Sequence, residues 1–200
     1  VTGWIIREYG RDKPVRNPIR IAFKDASFIF RDFPYPVRNL SGEIEVDSPR
    51  VRIKGIEASE SRLKITPFLG AIPERTLFLI HGTIDEITAD PTLDLQIQAF
   101  DLPIDARLRD ALDDATKEVW DDFRPQGMMD IDWRVTKTRG EKPVHRGVAR
   151  LKRCRARYKE VPLWVSGLTG EVQYAPGKLQ LKHLEGFCSD ARARLNGTVT

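Results

Sequence analysis

The chain has little of several features that would assign it to a familiar class of protein. Its 200 residues include two cysteines and three histidines, too few for a disulfide-rich scaffold. The longest run without a charged residue extends only from Val161 to Gly170, far short of the roughly 20 residues that a membrane-spanning helix needs. The net charge is +4, and basic residues are concentrated only in Arg146–Arg157. A helical membrane bundle is therefore excluded, and a dedicated nucleic-acid-binding module is disfavoured.

Catalytic and metal-binding motifs are also missing. The three histidines have no neighbouring histidine or carboxylate at the spacing of metal ligands. No nucleophile elbow, phosphate-binding loop or dinucleotide-binding glycine motif is present. An acidic cluster has no oxygen-rich loop around it and is typical of a solvated helix face; its members are Asp110, Asp113, Asp114, Asp121 and Asp122. We predict no catalytic residue, no metal site and no cofactor, and hence not an enzyme.

The two cysteines do not define a cellular compartment. Cys154 and Cys188 fall in neighbouring predicted strands, and residues at the matching places earlier in the chain are Ala26 and Glu60. The fold therefore does not depend on them. We interpret them as two buried or half-buried thiols, while a disulfide in an oxidising compartment stays open.

An internal repeat is the strongest signal that the sequence does contain. Pro34–Glu57 and Pro162–Glu185 align at a constant offset of 128 residues (162 − 34), with more identities than composition alone would give. The identical pairs are Pro34/Pro162, Val37/Val165, Leu40/Leu168, Gly42/Gly170, Glu43/Glu171, Lys54/Lys182 and Glu57/Glu185. Just upstream, the alternation of apolar side chains slips by one residue near Lys24–Asp25 and again near Lys152–Arg153. Each slip predicts a β-bulge.

The remaining chain predicts a mainly β, α+β fold with one inserted helix. Alternating apolar residues indicate strands with one dry face, and Pro49 and Pro176-Gly177 mark hairpin turns. The insertion Thr66–Arg75 predicts a loop. Apolar residues at helical spacing predict one amphipathic helix over about 105–123, capped by Asp105 and ended by Arg124-Pro125-Gln126-Gly127. Its apolar stripe, expected to lie against the sheet or over one mouth of a groove, is Leu108, Leu112, Ala115 and Val119.

The repeat also suggests how the chain is organised. Residues 1–137 form the first β-repeat, including the helix, and residues 138–200 form the start of a truncated second repeat. Both ends of the chain have the pattern of an interrupted strand. We therefore interpret the sequence as an excerpt from a longer chain, in which a missing leader or anchor carries no information about location.

The repeated unit resembles the AsmA-like (TamB-like) repeat of bacterial envelope proteins. Its elements are a Pro-x-x-Val-x-x-Leu-Ser/Thr-Gly-Glu-Ile/Val run, a turn and an alternating strand, with a later Asn/His-Gly-Thr-Ile/Val. The resemblance covers about Ile19–Asp101 and Val148–Thr200, and the helix is a departure from it. It implies an elongated, curled antiparallel sheet whose apolar groove conducts lipid across the periplasm or serves outer-membrane biogenesis. It also implies phospholipid or another lipid as partner, no nucleic acid, and an inner-membrane anchor in a missing N-terminal segment.

One hypothesis for the site follows from the alternation of apolar side chains along these strands and from the resemblance to the AsmA-like repeat. One side of the sheet would form a lipid-binding groove, whose candidate residues are Ile21, Phe23, Phe28, Phe30, Ile44, Val46, Val51, Ile53, Leu63, Leu93, Leu95, Ile97, Met129, Ile131, Trp133, Val172, Leu179 and Leu181. The alternatives are a structural scaffold repeat whose groove is filled by its own side chains, and, with less weight, an enzyme or a nucleic-acid binder.

Overall fold

A computed structural model describes the backbone of residues 2–3, 6–7, 15–16, 18–30, 33–66, 70–87, 90–160 and 163–199. Within these ranges the side chains of residues 2–3, 6–7, 15–16, 30, 33, 60–66, 70–75, 115 and 199 are not described. Two of the predicted groove residues, Phe30 and Leu63, and one residue of the helix stripe, Ala115, thus have side chains outside the described residues.

The described chain forms a meander of antiparallel strands, as the alternating sequence predicts. The strands are β1 (Thr2–Gly3), β2 (Ile6–Arg7), β3 (Val15–Arg16), β4 (Ile19–Phe30), β5 (Phe33–Asp47), β6 (Arg50–Thr66), β7 (Gly70–Asp85), β8 (Thr92–Ile104), β9 (Gln126–Lys137), β10 (Val144–Ala156), β11 (Val165–Ala175), β12 (Lys178–Cys188) and β13 (Ala191–Val199). One sheet has the order β1-β4-β5-β6-β7-β8-β9-β10-β11-β12-β13, while β2 pairs with β3. From β4 onward every strand therefore lies beside its neighbours in sequence.

Bulges recur in alternate strands of the sheet. The register shifts between Phe23 and Ala26 in β4 and between Leu151 and Cys154 in β10, which confirms the bulges predicted near Lys24–Asp25 and Lys152–Arg153. Strands β6, β8 and β12 also shift register, between Ile53 and Ile56, Ala99 and Leu102, and Leu181 and Leu184. The second inserted residue has a positive φ in all five strands: Asp25, Gly55, Asp101, Arg153 and His183. Because a bulge adds local twist, each of these strands is bent where its own bulge lies.

The predicted single helix is two helices. Helix α1 covers Ala106–Ala111 and helix α2 covers Asp114–Phe123. The break is local, because Leu112 is extended and the Asp113 side chain accepts from the Thr116 N–H and caps a new helix. The predicted cap at Asp105 and the predicted end after Phe123 are confirmed: Arg124 adopts the left-handed conformation there.

The orientation predicted for the helical stripe is correct only for its first part. Leu108 is 3% exposed and joins the sheet core, whereas Leu112 is half-buried. Val119 is 50% exposed, so its predicted contact with the sheet is wrong. Since the break at Leu112–Asp113 resets the helical phase, α2 packs Trp120 against the core instead.

The loop predicted for Thr66–Arg75 is also wrong. Strand β6 continues to Thr66 and β7 begins at Gly70, and their backbones pair from Thr66↔Gly70 onward. Most of the insertion therefore lengthens a hairpin. The predicted turns at Pro49 and at Pro176-Gly177 are present.

Candidate functional site

The candidate site is the apolar face of the sheet, defined as the side on which Leu40, Phe78 and Ile131 lie. Residues that are directly paired between neighbouring antiparallel strands point to the same side. One such row runs without interruption from β4 to β13: Ala26, Leu40, Ala58, Phe78, Ala99, Ile131, Ala149, Val172, Leu181 and Gly197. All members are apolar or glycine, so this face is continuous across the sheet.

Two further apolar rows flank the first one. The first contains Phe23, Gly42, Ile56, Ile80, Ile97, Trp133, Gly147, Tyr174 and Leu179. The second contains Ile21, Ile44, Ile53, Gly82, Leu95 and Val135 and ends at His145. Residues predicted from the two separate repeat copies, such as Ile44 and Leu181, therefore lie on one face, as the groove hypothesis requires.

The predicted groove residues are accessible as well as apolar. Every one whose side chain is described is half-buried, except Phe28, which is 49% exposed. No large side chain among the described residues is fully buried. The chain exposes 13643 Å², whereas a compact monomer of this mass exposes roughly 9,600 Å². Part of this excess is expected for a sheet whose apolar face is only partly covered within the described residues.

The two helices cover only part of this face. The buried cluster around α1 contains Leu108 and Ala111 with the sheet residues Tyr35, Val37, Leu40, Ile56, Ala58, Phe78, Ala99 and Leu102. Arg107 reinforces the contact by donating a hydrogen bond to the Tyr35 hydroxyl at 3.1 Å. None of these sheet residues was among the predicted groove residues, although each lies at one of the alternating apolar positions of its strand. That alternation could have identified them.

Beyond the helices the apolar face contains an aromatic cluster on β9 and β11. The Trp133 and Tyr174 rings stack with their centroids 5.2 Å apart. Gly147 lies between them on β10, and a Cβ there would come within 2.0 Å of Trp133 Cε3. Trp133 therefore occupies the space above the glycine and gives this part of the face a flat aromatic floor.

The opposite face is polar and carries ladders of ion pairs between strands. Arg134 contacts Asp94 at 2.6 Å and Arg20 contacts Glu43 at 3.0 Å. Lys152 lies between Asp130 at 2.7 Å and Asp101 at 2.8 Å, and both carboxylates raise its pKa. These alternating charges make one face of the sheet polar and solvated, while the other face is apolar.

The ladders change the ionisation of several carboxylates. A hydrogen bond from Lys54, with further attraction from Arg52, holds the pKa of Glu45 below its usual value. Arg134 lowers the pKa of Asp94 in the same way, and Arg192 lowers that of Glu185. Pairing with a cation favours the charged form of an acid, so these groups stay ionised well into the acidic range.

The thiols have the environments that the sequence predicted for them. Cys154 is buried and Cys188 is half-buried, and both are free. The Cys154 thiol donates to the Met128 carbonyl at 3.1 Å, and burial raises its pKa. Such a thiol is unreactive.

Metal-binding clusters and membrane-spanning helices are absent from the described ranges. No group of three or more His, Cys, Asp or Glu side chains there is arranged to hold a metal ion. No described helix has both the length and the apolar character needed to cross a membrane. Comparisons of the chain with protein-family models, curated proteins and solved structures gave no match.

Proposed function

We propose that the chain is a segment of an envelope lipid-transfer or outer-membrane-biogenesis protein, whose apolar face binds or conducts lipid acyl chains. The partner is a phospholipid or another lipid, and no cofactor and no catalysis is involved. The place of action is the bacterial periplasm, with an inner-membrane anchor supplied by parts of the parent protein.

The uncovered apolar face is the observation that carries this proposal. Burial of apolar area is worth about 25 cal/mol per Å², so a sheet that leaves such a face accessible gives up stability unless something else covers it. Large accessible apolar patches mark binding sites. An acyl chain matches this surface because it is apolar, narrow and able to follow a row of Ile, Leu and Val side chains.

The backbone supports the finer proposal that the sheet is built from two copies of one unit. Three pairs of positions separated by 128 residues both have positive φ: Asp25 with Arg153, Asn39 with Gly167, and Gly55 with His183. This conformation is uncommon for residues other than glycine. Its recurrence at the same offset as the sequence identities favours a shared supersecondary unit, with the division near residues 137 and 138.

A scaffold repeat is the second candidate, and the cluster under α1 favours it. Leu108 and Ala111 fill the apolar face there with residues of the chain itself. In this alternative the groove is filled by the side chains of the repeat itself, and no lipid enters.

Lipid occupancy in charge variants tests the proposal. Val51→Asp and Leu181→Asp each place a carboxylate on the apolar face, where contact with an acyl chain would remove its water at a cost of several kcal/mol. Both variants should contain much less bound lipid than the wild type. Photo-crosslinking and mass spectrometry of co-purified lipid provide the measurement.

The matched control is Arg52→Ser, which changes the residue beside Val51 on the polar face. It should leave lipid occupancy unchanged, and circular dichroism should show that all three variants keep the sheet. Equal occupancy in the wild type and all folded variants would contradict the lipid proposal and leave the scaffold.

A further inference from the structure

A second surface lies on the opposite face of the sheet, where β10 ends and β11 begins. We call it the basic aromatic patch, and its residues are Arg153, Arg155, Arg157, Leu163, Trp164 and Phe187. Arg155 lies between Cys154 and Ala156, which pair with apolar-face residues of β11, so Arg155 points to the polar side. The patch is therefore separate from the candidate lipid-binding face.

Two of the three arginines are in direct contact with the tryptophan. The Arg155 guanidinium lies 4.9 Å from the centre of the Trp164 ring, and that of Arg157 lies 5.5 Å from it. Arg155 also donates to the Gln126 side-chain oxygen at 2.9 Å. Two cations are thus fixed beside one aromatic ring by cation–π contacts.

Among the described residues, no ion pair neutralises the positive charge of the patch. Elsewhere in the basic stretch, Arg150 pairs with Glu171, and Lys152 pairs with Asp101 and Asp130. Within the ranges that the structure describes, by contrast, no carboxylate forms an ion pair with the three patch arginines. An anionic partner therefore has no acid of the described part of the chain to displace from these arginines.

Exposed apolar side chains accompany these cations. Leu163 is 53% exposed, Trp164 37% and Phe187 51%. Phe187 lies on β12 opposite Ser166 of β11, close along the strand to Trp164. The patch therefore combines guanidinium groups with exposed Trp, Leu and Phe side chains. Segments that anchor proteins at a membrane interface have the same residue types, because their cations contact lipid phosphates and their aromatic rings lie at the level of the headgroups.

We propose that the basic aromatic patch binds the surface of an anionic phospholipid bilayer. The arginines contact lipid phosphates, while Trp164, Leu163 and Phe187 enter the headgroup region. This goes beyond acyl-chain binding on the apolar face, because it uses different residues on the other side of the sheet. Nucleic acid is disfavoured as the occupant, since base stacking needs a free ring face and Trp164 is already contacted by guanidinium groups.

Vesicle binding tests this proposal. The probes are vesicles of phosphatidylcholine alone and vesicles of phosphatidylcholine with about 30% phosphatidylglycerol. The wild type should co-sediment with the anionic vesicles only. Because each basic residue near such a surface contributes on the order of a fivefold gain in affinity, the double variant Arg155→Gln/Arg157→Gln should bind at least tenfold more weakly.

The matched control removes the same charge elsewhere. Arg146 and Lys178 are exposed and form no ion pair within the described part of the chain, so Arg146→Gln/Lys178→Gln should bind within about twofold of the wild type. Equal losses in the two double variants, with folding confirmed by circular dichroism, would show a net-charge effect and overturn the patch.

Tryptophan fluorescence gives a second, independent readout. Brominated anionic lipids should quench Trp164, and Trp164→Phe should remove that quenching while keeping most of the binding. Quenching as strong in Trp164→Phe as in the wild type would overturn the insertion, since Trp133 on the apolar face can account only for a residual signal. Binding of a single-stranded oligonucleotide that Arg155→Gln/Arg157→Gln abolishes, without vesicle binding by the wild type, would assign the patch to nucleic acid instead.

The two proposals fail separately. Val51→Asp should bind anionic vesicles like the wild type, and Arg155→Gln/Arg157→Gln should retain wild-type co-purified lipid. Loss of vesicle binding in folded Val51→Asp would overturn the separate patch.

Discussion

At the scale of single residues, the bulges require a backbone conformation that only glycine adopts at low cost. Asp101 and His183 adopt it with side chains present, at φ values of 54° and 51°. Their backbone N–H groups are satisfied by other residues: Asp101 donates to Asp130 at 3.0 Å, and His183 donates to Asn196 at 2.7 Å. These hydrogen bonds help to offset a conformational cost of roughly 1–2 kcal/mol per residue.

Gly55 and His183, which match in the two proposed repeat copies and both have positive φ, allow a direct test of that cost. His183→Gly should raise the free energy of unfolding by about 0.5–1 kcal/mol, because glycine adopts positive φ freely. Gly55→Ala should lower it by about 1 kcal/mol through φ alone, since a Cβ there meets nothing within 4 Å. Urea denaturation measures both. If His183→Gly is instead less stable than the wild type, the His183 side chain stabilises the fold by more than its backbone conformation costs.

A different glycine tests packing rather than backbone strain. Gly147→Ala places a methyl group in the space occupied by Trp133, and we expect a loss of about 1–3 kcal/mol from overpacking. Gly197→Ala is the control, because it lies on the same apolar face with open space around it. Urea denaturation followed by tryptophan fluorescence checks both, and equal stability of the two variants would contradict the described stacking.

At the scale of elements, α1 is the helix that stabilises the sheet. Leu108 is 3% exposed, whereas Val119 of α2 is 50% exposed. Leu108→Ala should therefore cost about 2–4 kcal/mol, and Val119→Ala less than about 0.5 kcal/mol. Thermal unfolding of the two variants is the measurement. Similar losses would mean that both helices pack through the originally predicted stripe.

The strands and bulges were predictable because both depend on local side-chain alternation. A phase slip in that pattern identified the bulges at Lys24–Asp25 and Lys152–Arg153 from sequence alone. The helix break was missed because a continuous stripe outweighed the capping signal of Asp113, which begins a new helix. The hairpin built by Thr66–Arg75 was missed because Pro67 and Pro73 favour a loop reading.

The predicted site was partly accessible to the same reasoning. The alternation of apolar side chains placed Ile44, Val51 and Leu181 on one face of the sheet, but it could not show which positions of that face α1 would cover. Leu40 and Phe78 were therefore left out although they lie on the same apolar face. The basic aromatic patch was visible only as a run of arginines, because the approach of Trp164 depends on how β10 and β11 pair.

At the scale of the whole molecule, the sheet is held together by contacts between consecutive strands. Among the described residues, each strand from β5 to β13 pairs only with its neighbours in sequence, and β4 pairs with β5 and with the short β1. The free energy of unfolding then comes from many small contributions between neighbouring strands, including the ion-pair ladders of the polar face. Individual exposed pairs contribute little, but their carboxylates share a common direction of pKa shift.

That shared direction predicts how the whole molecule responds to acid. The pKa values of Glu45, Asp90, Asp94, Asp121 and Glu185 are all lowered by paired cations or hydrogen bonds. Acids with lowered pKa values stabilise the fold above the unfolded value of about 4, and that stability is lost as the pH falls through the folded value. The urea midpoint should therefore be flat from about pH 5 to 7 and fall steadily below about pH 4.

Salt and one variant identify the source of that pH dependence. Because these pairs are exposed, about 0.5 M NaCl should reduce the acid-induced fall. At low salt, the urea midpoint of Arg134→Gln should fall less in acid than that of the wild type, since Asp94 would lose the partner that lowers its pKa. A urea midpoint that stays constant down to about pH 2.5, or rises there, would show that the polar-face ladders contribute nothing to folding. The sheet would then depend on its apolar face alone.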